Sequence, residues 1–293
     1  MSPARVSVEV EGRRLSLSNL DKPLYPDGFT KGQVLDYYTR IAPVLLPHLA
    51  GRPLTRKRYP NGVDGAVFYE KNAPRGTPEW VRRVTLPVPG SSKDRETIDF
   101  VVCDELATLV WTANLASLEL HTPMWQVDAG RPDLLVFDLD PGEPADVVEC
   151  CAVALLLRPL LAADGIEAIC KTSGSKGLQL YARADGLASS AETSAYAKAL
   201  AQRLERAHPA LVVHRMTKAL RGGKVLVDWS QNSAAKTTVS VYSLRAREHP
   251  TVSTPLTWDE VETCGRASDL VFTSDDVLAR VERDGDLFAR LLG

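Results

Sequence analysis

The 293-residue sequence lacks several features that mark large classes of protein. Its five cysteines are odd in number and include no C-x-x-C pair, which argues against a disulfide framework and against a zinc site. No apolar run reaches the length of a membrane span, and the first twenty residues contain no signal-peptide core. The G-x-x-x-x-G-K-[ST] phosphate loop is also absent. We therefore expect a cytoplasmic protein with reduced thiols.

Charge is distributed unevenly along the chain, although the net charge is only −2. Residues 1–100 carry 16 Lys and Arg against 11 Asp and Glu, whereas the remainder carries 19 against 26. This difference suggests a polyanion-binding surface in the first third and a carboxylate-based site in the rest. A skew of this size also arises by chance, so charge alone does not identify a nucleic-acid-binding protein.

Apolar periodicity predicts a mixed α/β (α+β) fold, organised as a single domain over residues 1–293. We expect a smaller N-terminal lobe at about 1–130 and a second lobe at about 131–293, divided near residues 126–133. The predicted strands are a strand or hairpin in 4–18, a pair in 80–103 around the turn PGSSKD, and strands at 134–139, 167–172, 177–182 and near 211–215, 224–229 and 237–243. One predicted helix starts at the capping box of Thr30 and Gln33. Three more span 105–120, 145–163 and 190–207, and a last one covers the tail TSDDVLARVERDGDLFARLL.

The stretch LLVFDLDPGE ends an apolar strand on two negative charges. Because side chains alternate between the faces of a strand, Asp138 and Asp140 point the same way. Two neighbouring carboxylates repel each other unless a cation neutralises them, and their hard oxygens suit Mg²⁺ or Mn²⁺. The alternative is that Asp140 only caps a helix that begins at Pro144, while Asp138 lies in solvent.

Two further segments strengthen the metal hypothesis. KVLVDWSQN is another apolar strand that ends in a carboxylate, Asp228, and a third carboxylate is what a two-metal centre needs. In CKTSGSKGLQLYA, a turn with Ser173, Lys176 and exposed backbone N–H groups could hold a triphosphate, although such a turn is often only a glycine-rich hairpin. Gln231 and Arg245 could contact the same nucleotide, although polar residues are also ordinary on an exposed strand face.

The ordered blocks LTRKRYPNG, FYEKN, LELHTPMW, RPDLLVFDLDPG, TSGSKGL, VLVDWSQN and VYSLRAREHPTVSTPLTWDEV carry a resemblance to a known family. From about residue 14 to the C-terminus, the sequence resembles the polymerase domain of bacterial ligase D, a member of the archaeo-eukaryotic primase superfamily that works in non-homologous end joining. The resemblance implies a primase-polymerase-like fold, with a central mixed or antiparallel sheet flanked by helices.

The resemblance also implies roles for residues that match the family motifs. Taken alone, Lys22 and Lys31 could be solvated and Phe68 could belong to the core, whereas stacking on template bases suits an aromatic pair because every base has a π face. The implied roles are metal binding by Asp138, Asp140 and Asp228; triphosphate binding by Ser173 and Lys176; further nucleotide contacts by Gln231 and Arg245; binding of a DNA 5′-phosphate by Lys22 and Lys31; a backbone contact by Arg56; and template stacking by Phe68 and Tyr69.

One position departs from the family pattern. Family members usually read GKGLH, where this chain has Gln179 in place of the histidine. A glutamine can donate a hydrogen bond to the nucleotide phosphate or support the metal site, but it cannot carry a charge or relay a proton. We therefore expect slower turnover. No ligase or nuclease domain is recognisable, which indicates a stand-alone relative or an excised domain.

The resulting hypothesis is a metal-dependent nucleotidyltransferase that extends a primer 3′-OH at a DNA gap or broken end. The resemblance implies two Mn²⁺ or Mg²⁺ ions, an NTP or dNTP substrate with ribonucleotides preferred, recognition of a downstream 5′-phosphate, Ku and a ligase as partners, and a place at the nucleoid.

Two alternatives stay open. One is a DNA-end-binding module with little or no synthesis, because Gln179 replaces the histidine. The other is a phosphohydrolase, because an apolar strand followed by D-x-D also begins haloacid-dehalogenase-type phosphatases. Against the second stand Pro141 after the second aspartate, the mid-chain position of the motif, and the absence of an acidic neighbour beside Asp228.

Overall fold

A computed structural model describes residues 5–88 and 96–293 of the protein. Its strands form a hairpin and two large sheets against which the helices pack, which confirms the predicted mixed α/β fold. In the predicted strand pair of 80–103, two antiparallel strands are present, whereas their turn PGSSKD lies outside the described residues.

In chain order the described strands are β1 (Arg5–Val10), β2 (Arg13–Ser18), β3 (Pro53–Arg58), β4 (Phe68–Glu70), β5 (Arg83–Pro87), β6 (Thr97–Val102), β7 (Ser117–Thr122), β8 (Leu134–Pro141), β9 (Ala168–Thr172), β10 (Leu178–Arg183), β11 (Val212–Val213), β12 (Val225–Asp228), β13 (Thr238–Val239) and β14 (Pro255–Leu256). The described α-helices are α1 (Lys31–Leu49), α2 (Leu106–Asn114), α3 (Val147–Ala163), α4 (Ser190–Ala207), α5 (Trp258–Thr263) and α6 (Ser274–Asp284).

The strands of the two large sheets are ordered differently from the chain. The front sheet has the order β13-β7-β3-β6-β5, with β4 paired to β3. The rear sheet has the order β11-β12-β8-β10-β9-β14 and is mixed, because β11 and β12 run parallel while its other neighbours run antiparallel. Since β13 follows the rear-sheet strand β12 but pairs with β7, the chain returns to the front sheet. The division into lobes near residue 130 stays a prediction.

Helix starts follow the local capping chemistry. The Thr30 side chain accepts a hydrogen bond from the Gln33 backbone, and the Gln33 side chain accepts one from Thr30, so α1 begins with the predicted capping box. At α3, Asp146 and Glu149 form the same arrangement. Asp140 therefore does not cap α3, and that alternative for the D-x-D pair is wrong.

Alternation along the rear-sheet strands separates a packing face from a polar face. Leu135, Phe137 and Leu139 of β8 are at most 1% exposed and belong to the core that contains the buried side of α3 and α4. Val136 belongs instead to the core shared with the front sheet. Since side chains alternate, Asp138 lies on the face turned toward the front sheet.

Several predicted elements are shorter in the structure. The helix predicted for 105–120 ends at Asn114, because Ala116 adopts a positive φ of 57° and the chain continues as β7. The strand predicted for 237–243 is only Thr238–Val239, and the tail helix ends at Asp284, where Gly285 has φ 69°. Among the helices of the described residues, none is long and apolar enough to cross a membrane.

Candidate metal and nucleotide site

Three carboxylates meet where β8 and β12 end. Oxygen atoms of Asp138, Asp140 and Asp228 lie within 4.8 Å of one another, although the residues are up to 90 positions apart in the sequence. Asp228 is buried, Asp138 is half-buried and Asp140 is exposed, so the cluster opens to solvent on one side. The hard oxygen donors of such a cluster fit Mg²⁺ or Mn²⁺.

The pairing of strands explains this assembly. In the antiparallel ladder, Asp228 of β12 is the direct partner of Asp138 of β8, and Gln179 of β10 is the partner of Asp138 on the other side. Burial and the neighbouring charges of Asp140 and Asp228 raise the pKa of Asp138 to about 7. Burial and Asp228 also raise the pKa of Asp140. Both shifts arise from burial and from repulsion between neighbouring carboxylates, and a divalent cation would relieve that repulsion.

Gln179 joins the carboxylates to a buried lysine. Its Nε2 donates a hydrogen bond of 2.9 Å to Oδ1 of Asp138, and its Oε1 accepts one of 2.5 Å from Nζ of Lys171. Lys171 is fully buried on β9, and burial lowers its pKa well below the ordinary value despite the attraction of Asp138. The Gln179 side chain therefore supports the carboxylate cluster directly, through its hydrogen bond to Asp138.

Asp228 is fixed by the tight turn that follows it. Its Oδ1 accepts hydrogen bonds from the backbone N and Oγ of Ser230, at 2.9 and 2.5 Å, and its Oδ2 accepts one of 2.9 Å from Nε2 of Gln231. Asn232 anchors the turn, because its side chain exchanges two hydrogen bonds with the backbone of Val136 in β8. Gln231 thus lies beside the cluster and, in this conformation, orients Asp228.

The segment between β9 and β10 forms a compact turn. The Ser173 backbone N donates to the Gly177 carbonyl over 2.9 Å, and the Ser173 hydroxyl accepts from the Gly177 backbone N over 3.1 Å. Gly177 lies so close to β8 that an added Cβ would be 2.2 Å from the Leu139 carbonyl oxygen. The turn is therefore held against the strand that carries Asp138 and Asp140. Lys176 extends into solvent and pairs with Glu143 over 2.8 Å.

Arg245 connects this turn to the front sheet. Its Nη1 donates to the Ser173 carbonyl over 2.5 Å, and its Nε lies 3.3 Å from Oε1 of Glu119 on β7. Glu119 is buried and also contacts Lys57 at 2.8 Å and His121 at 2.9 Å. Burial alone would raise the pKa of Glu119, but the His121 hydrogen bond and the charges of Arg245 and Lys57 hold it below its ordinary value. This cluster places the Arg245 guanidinium beside the turn.

A second cationic site lies at the start of α1. The backbone N of Lys31 donates to the Lys22 carbonyl over 2.9 Å, so the two predicted lysines are held side by side. Burial, with the nearby charges of Lys22 and Arg58, lowers the pKa of Lys31 to about 8. An anion at this position would relieve the repulsion, and the amino end of a helix favours negative charge.

The remaining predicted residues lie in very different surroundings. Phe68 and Tyr69 on β4 are 47% and 51% exposed, so they are not core residues. Arg56 is fully buried, with Nη2 donating to the Asn72 carbonyl over 2.8 Å and its guanidinium 5.9 Å from the Trp111 ring centre. In this structure Arg56 does not reach the surface, so its burial does not favour the predicted contact with a DNA backbone.

Comparison with known proteins agrees with the geometry of the site. Residues 30–288 match the family described as the LigD primase-polymerase domain. The chain belongs to this family. The resemblance inferred from the ordered sequence blocks is therefore confirmed.

Relatives within the LigD family show how much of a longer protein the chain represents. It is 46% identical over 289 residues to the multifunctional non-homologous end joining DNA repair protein LigD of Mycobacterium tuberculosis, covering 95% of this chain and 37% of that protein. It is 32% identical over 274 residues to the bifunctional LigD of Bacillus subtilis, covering 93% and 43%. The chain thus spans well under half the length of these relatives.

A solved LigD structure agrees with the fold. The chain aligns with the polymerase domain of Mycobacterium tuberculosis ligase D, determined in complex with DNA, with a TM-score of 0.88 and 46% identity over 95% of this chain and 98% of that one. Family membership makes this chain a nucleotidyltransferase-type polymerase domain, which leaves the phosphohydrolase alternative without support.

Sequence reasoning missed several residues of this LigD-type site. The contact of Lys171 depends on the register in which its strand pairs, which the sequence does not give. Ser230 and Asn232 act through a turn whose contacts are known only from the three-dimensional structure. Glu119 and His121 stand in the block LELHTPMW, but the alternation that places both on one face is obscured because the predicted helix at 105–120 includes Glu119 and ends just before His121.

Proposed function

We propose that the chain extends a primer 3′-OH at gaps or broken ends of DNA, as a metal-dependent primase-polymerase of double-strand-break repair. The observation that carries the proposal is the cluster of three carboxylates in a chain of the LigD primase-polymerase family. Their separation of at most 4.8 Å suits one or two divalent cations.

Asp138, Asp140 and Asp228 would hold two Mn²⁺ or Mg²⁺ ions. When bound, such ions supply Lewis acidity, which lowers the pKa of a primer hydroxyl and stabilises the charge of departing pyrophosphate. The protein's own contribution is positional, because Gln179 fixes one oxygen of Asp138 and the Ser230 turn fixes both oxygens of Asp228. No side-chain nucleophile is required.

The Ser173–Gly177 turn would bind the triphosphate of an incoming NTP or dNTP, with ribonucleotides preferred. Its position is supported by the close approach of Gly177 to β8 and by the contact of Arg245 with the Ser173 carbonyl. Lys176 is exposed and can exchange Glu143 for a phosphate, because a solvated ion pair holds its partners weakly.

DNA would bind across the front sheet. Lys22 and Lys31 at the start of α1 would receive a downstream 5′-phosphate, and the exposed rings of Phe68 and Tyr69 would stack on template bases. The solved relative is a complex with DNA, which supports DNA binding by this chain. Because the longer relatives are named as end-joining proteins, we also propose Ku and a DNA ligase as partners in the nucleoid.

Primer extension on a short gap tests the proposal. The substrate carries or lacks a downstream 5′-phosphate, and the reactions use ribo- or deoxynucleotides with Mn²⁺ or Mg²⁺. We expect extension that is greater with the phosphate and with ribonucleotides, and that is lost in Asp140→Ala while DNA binding persists. Tight phosphate-dependent binding without extension by the unaltered protein would instead establish the end-binding module, and extension by Asp140→Ala would refute the metal assignment.

A further inference from the structure

Lys171 occupies an unusual position for a lysine. It is the penultimate residue of β9, is fully buried, and belongs to the same cross-strand row as Gln179 and Asp138. Its Nζ donates to Oε1 of Gln179 over 2.5 Å and to Oγ of Ser253 over 2.6 Å. Burying an amine is costly unless its hydrogen bonds are satisfied, so these contacts require an explanation beyond packing.

The contact with Lys171 determines which way the Gln179 amide points. In the structure the Lys171 amine donates to Gln179, so the atom of Gln179 that faces it is the carbonyl oxygen. The NH₂ end of the same amide then faces Asp138, where it donates over 2.9 Å. Without Lys171, the amide could turn over and place its carbonyl oxygen against the Asp138 carboxylate, which would repel it.

We propose that Lys171 is a positioning residue of the metal centre, which acts through Gln179 to hold Asp138 ready for the cation. This inference rests on the proposed metal site. A histidine at position 179 could donate to the carboxylate from its own ring nitrogen, whereas a glutamine needs a second residue to orient its amide. Lys171 and Gln179 together thus perform the function that histidine alone would perform.

Metal binding without nucleotide tests the proposal by a readout that is independent of turnover. Mn²⁺ titrations followed by electron paramagnetic resonance compare the unaltered protein with Lys171→Met, Gln179→His and the double variant. Loss of a residue that orients a metal ligand typically weakens affinity about tenfold or more, and we expect this for Lys171→Met. We expect Gln179→His to bind Mn²⁺ well with or without Lys171, so the double variant is rescued.

Further variants separate positioning from a general structural role. Ser253→Ala removes the other acceptor of Lys171, on the side away from the carboxylates, and should change Mn²⁺ affinity less than about twofold. Gln179→Met keeps the lysine but breaks its link to Asp138, and should weaken binding as much as Lys171→Met does. If melting curves show that Lys171→Met has lost its fold, Gln179→Met still tests the positioning role. Primer extension should show a raised Mn²⁺ requirement for Lys171→Met and little change in KM for DNA.

The results distinguish failure of the positioning role of Lys171 from failure of the metal site itself. Unchanged Mn²⁺ affinity in Lys171→Met or Gln179→Met would overturn the positioning role, as would a double variant that Gln179→His fails to rescue or a Ser253→Ala variant as weak as Lys171→Met. A wild-type protein that binds no Mn²⁺ would refute the proposed metal site itself, which is a different outcome.

Discussion

Asp138→Asn is expected to stabilise the metal-free protein at alkaline pH. Burial, with the charges of Asp140 and Asp228, raises the pKa of Asp138 to about 7, whereas the ordinary value is 3.8. The folded state therefore holds this proton more tightly than the unfolded chain does. The stability that results is fully present below pH 3.8 and is lost as the pH rises through 7. This difference corresponds to about 4 kcal/mol at most, and we expect about 2–4 kcal/mol because the carboxylates titrate together.

Chemical denaturation at several pH values, with a chelator present, measures this effect. The free energy of unfolding of Asp138→Asn should rise relative to the unaltered protein by about 2–4 kcal/mol between pH 4 and pH 8. The asparagine keeps an oxygen that can accept the Gln179 hydrogen bond, so the charge is the main change. Added Mn²⁺ should stabilise the unaltered protein but not the variant.

The control is Asp64→Asn, which removes an exposed carboxylate far from the cluster in sequence. Its free energy of unfolding should stay within about 0.5 kcal/mol of the unaltered protein at every pH. A difference for Asp138→Asn that does not change with pH would contradict the conclusion that the carboxylate cluster is electrostatically strained in the absence of metal.

Three other substitutions probe the turn before β10, the buried charge beside Arg245 and the start of α1. Gly177→Ala places a Cβ 2.2 Å from a backbone oxygen and should lower stability by about 1–3 kcal/mol in thermal unfolding, whereas Gly222→Ala, with no atom nearer than 3.9 Å, should be nearly neutral. Glu119→Gln removes the buried charge beside Arg245 and should raise KM for the nucleotide severalfold in primer extension with little change in KM for DNA; an unchanged nucleotide KM would contradict this link. Lys31→Met should weaken binding of 5′-phosphorylated DNA about tenfold in fluorescence anisotropy, but should leave binding of unphosphorylated DNA nearly unchanged.

The carboxylate site is the part that sequence reasoning predicted best, and the reason is periodicity. Apolar alternation along LLVFDLD indicates a strand whose two aspartates share a face, and VLVD indicates a second strand that ends in the same way. That β8 and β12 are neighbours depends on pairing between strands more than 80 residues apart, which no local pattern encodes. The repeated pattern suggests Asp228 as the third carboxylate, and the family resemblance implies the same role.

The residues that orient the site could not be predicted in the same way. Lys171 contacts Gln179 only because β9 and β10 pair in one particular register, and a slip of one residue would turn Lys171 to the opposite face. The shared strand face of Glu119 and His121 could not be recognised, because the apolar sequence before them forms a helix as far as Asn114. The positive φ of Ala116 is the local event that ends the helical pattern.

A single alternating strand explains how the fold tolerates such a site. On one face of β8, Leu135, Phe137 and Leu139 are almost completely buried against the helices, and burying an aliphatic or aromatic side chain of this size contributes about 1.5–3 kcal/mol. On the other face, Asp138 and Asp140 oppose folding whenever both are ionised without a cation. Because the apolar face fixes the strand, the carboxylates cannot relax apart. The repulsion therefore persists in the folded protein, and a divalent cation at the proposed metal site would relieve it.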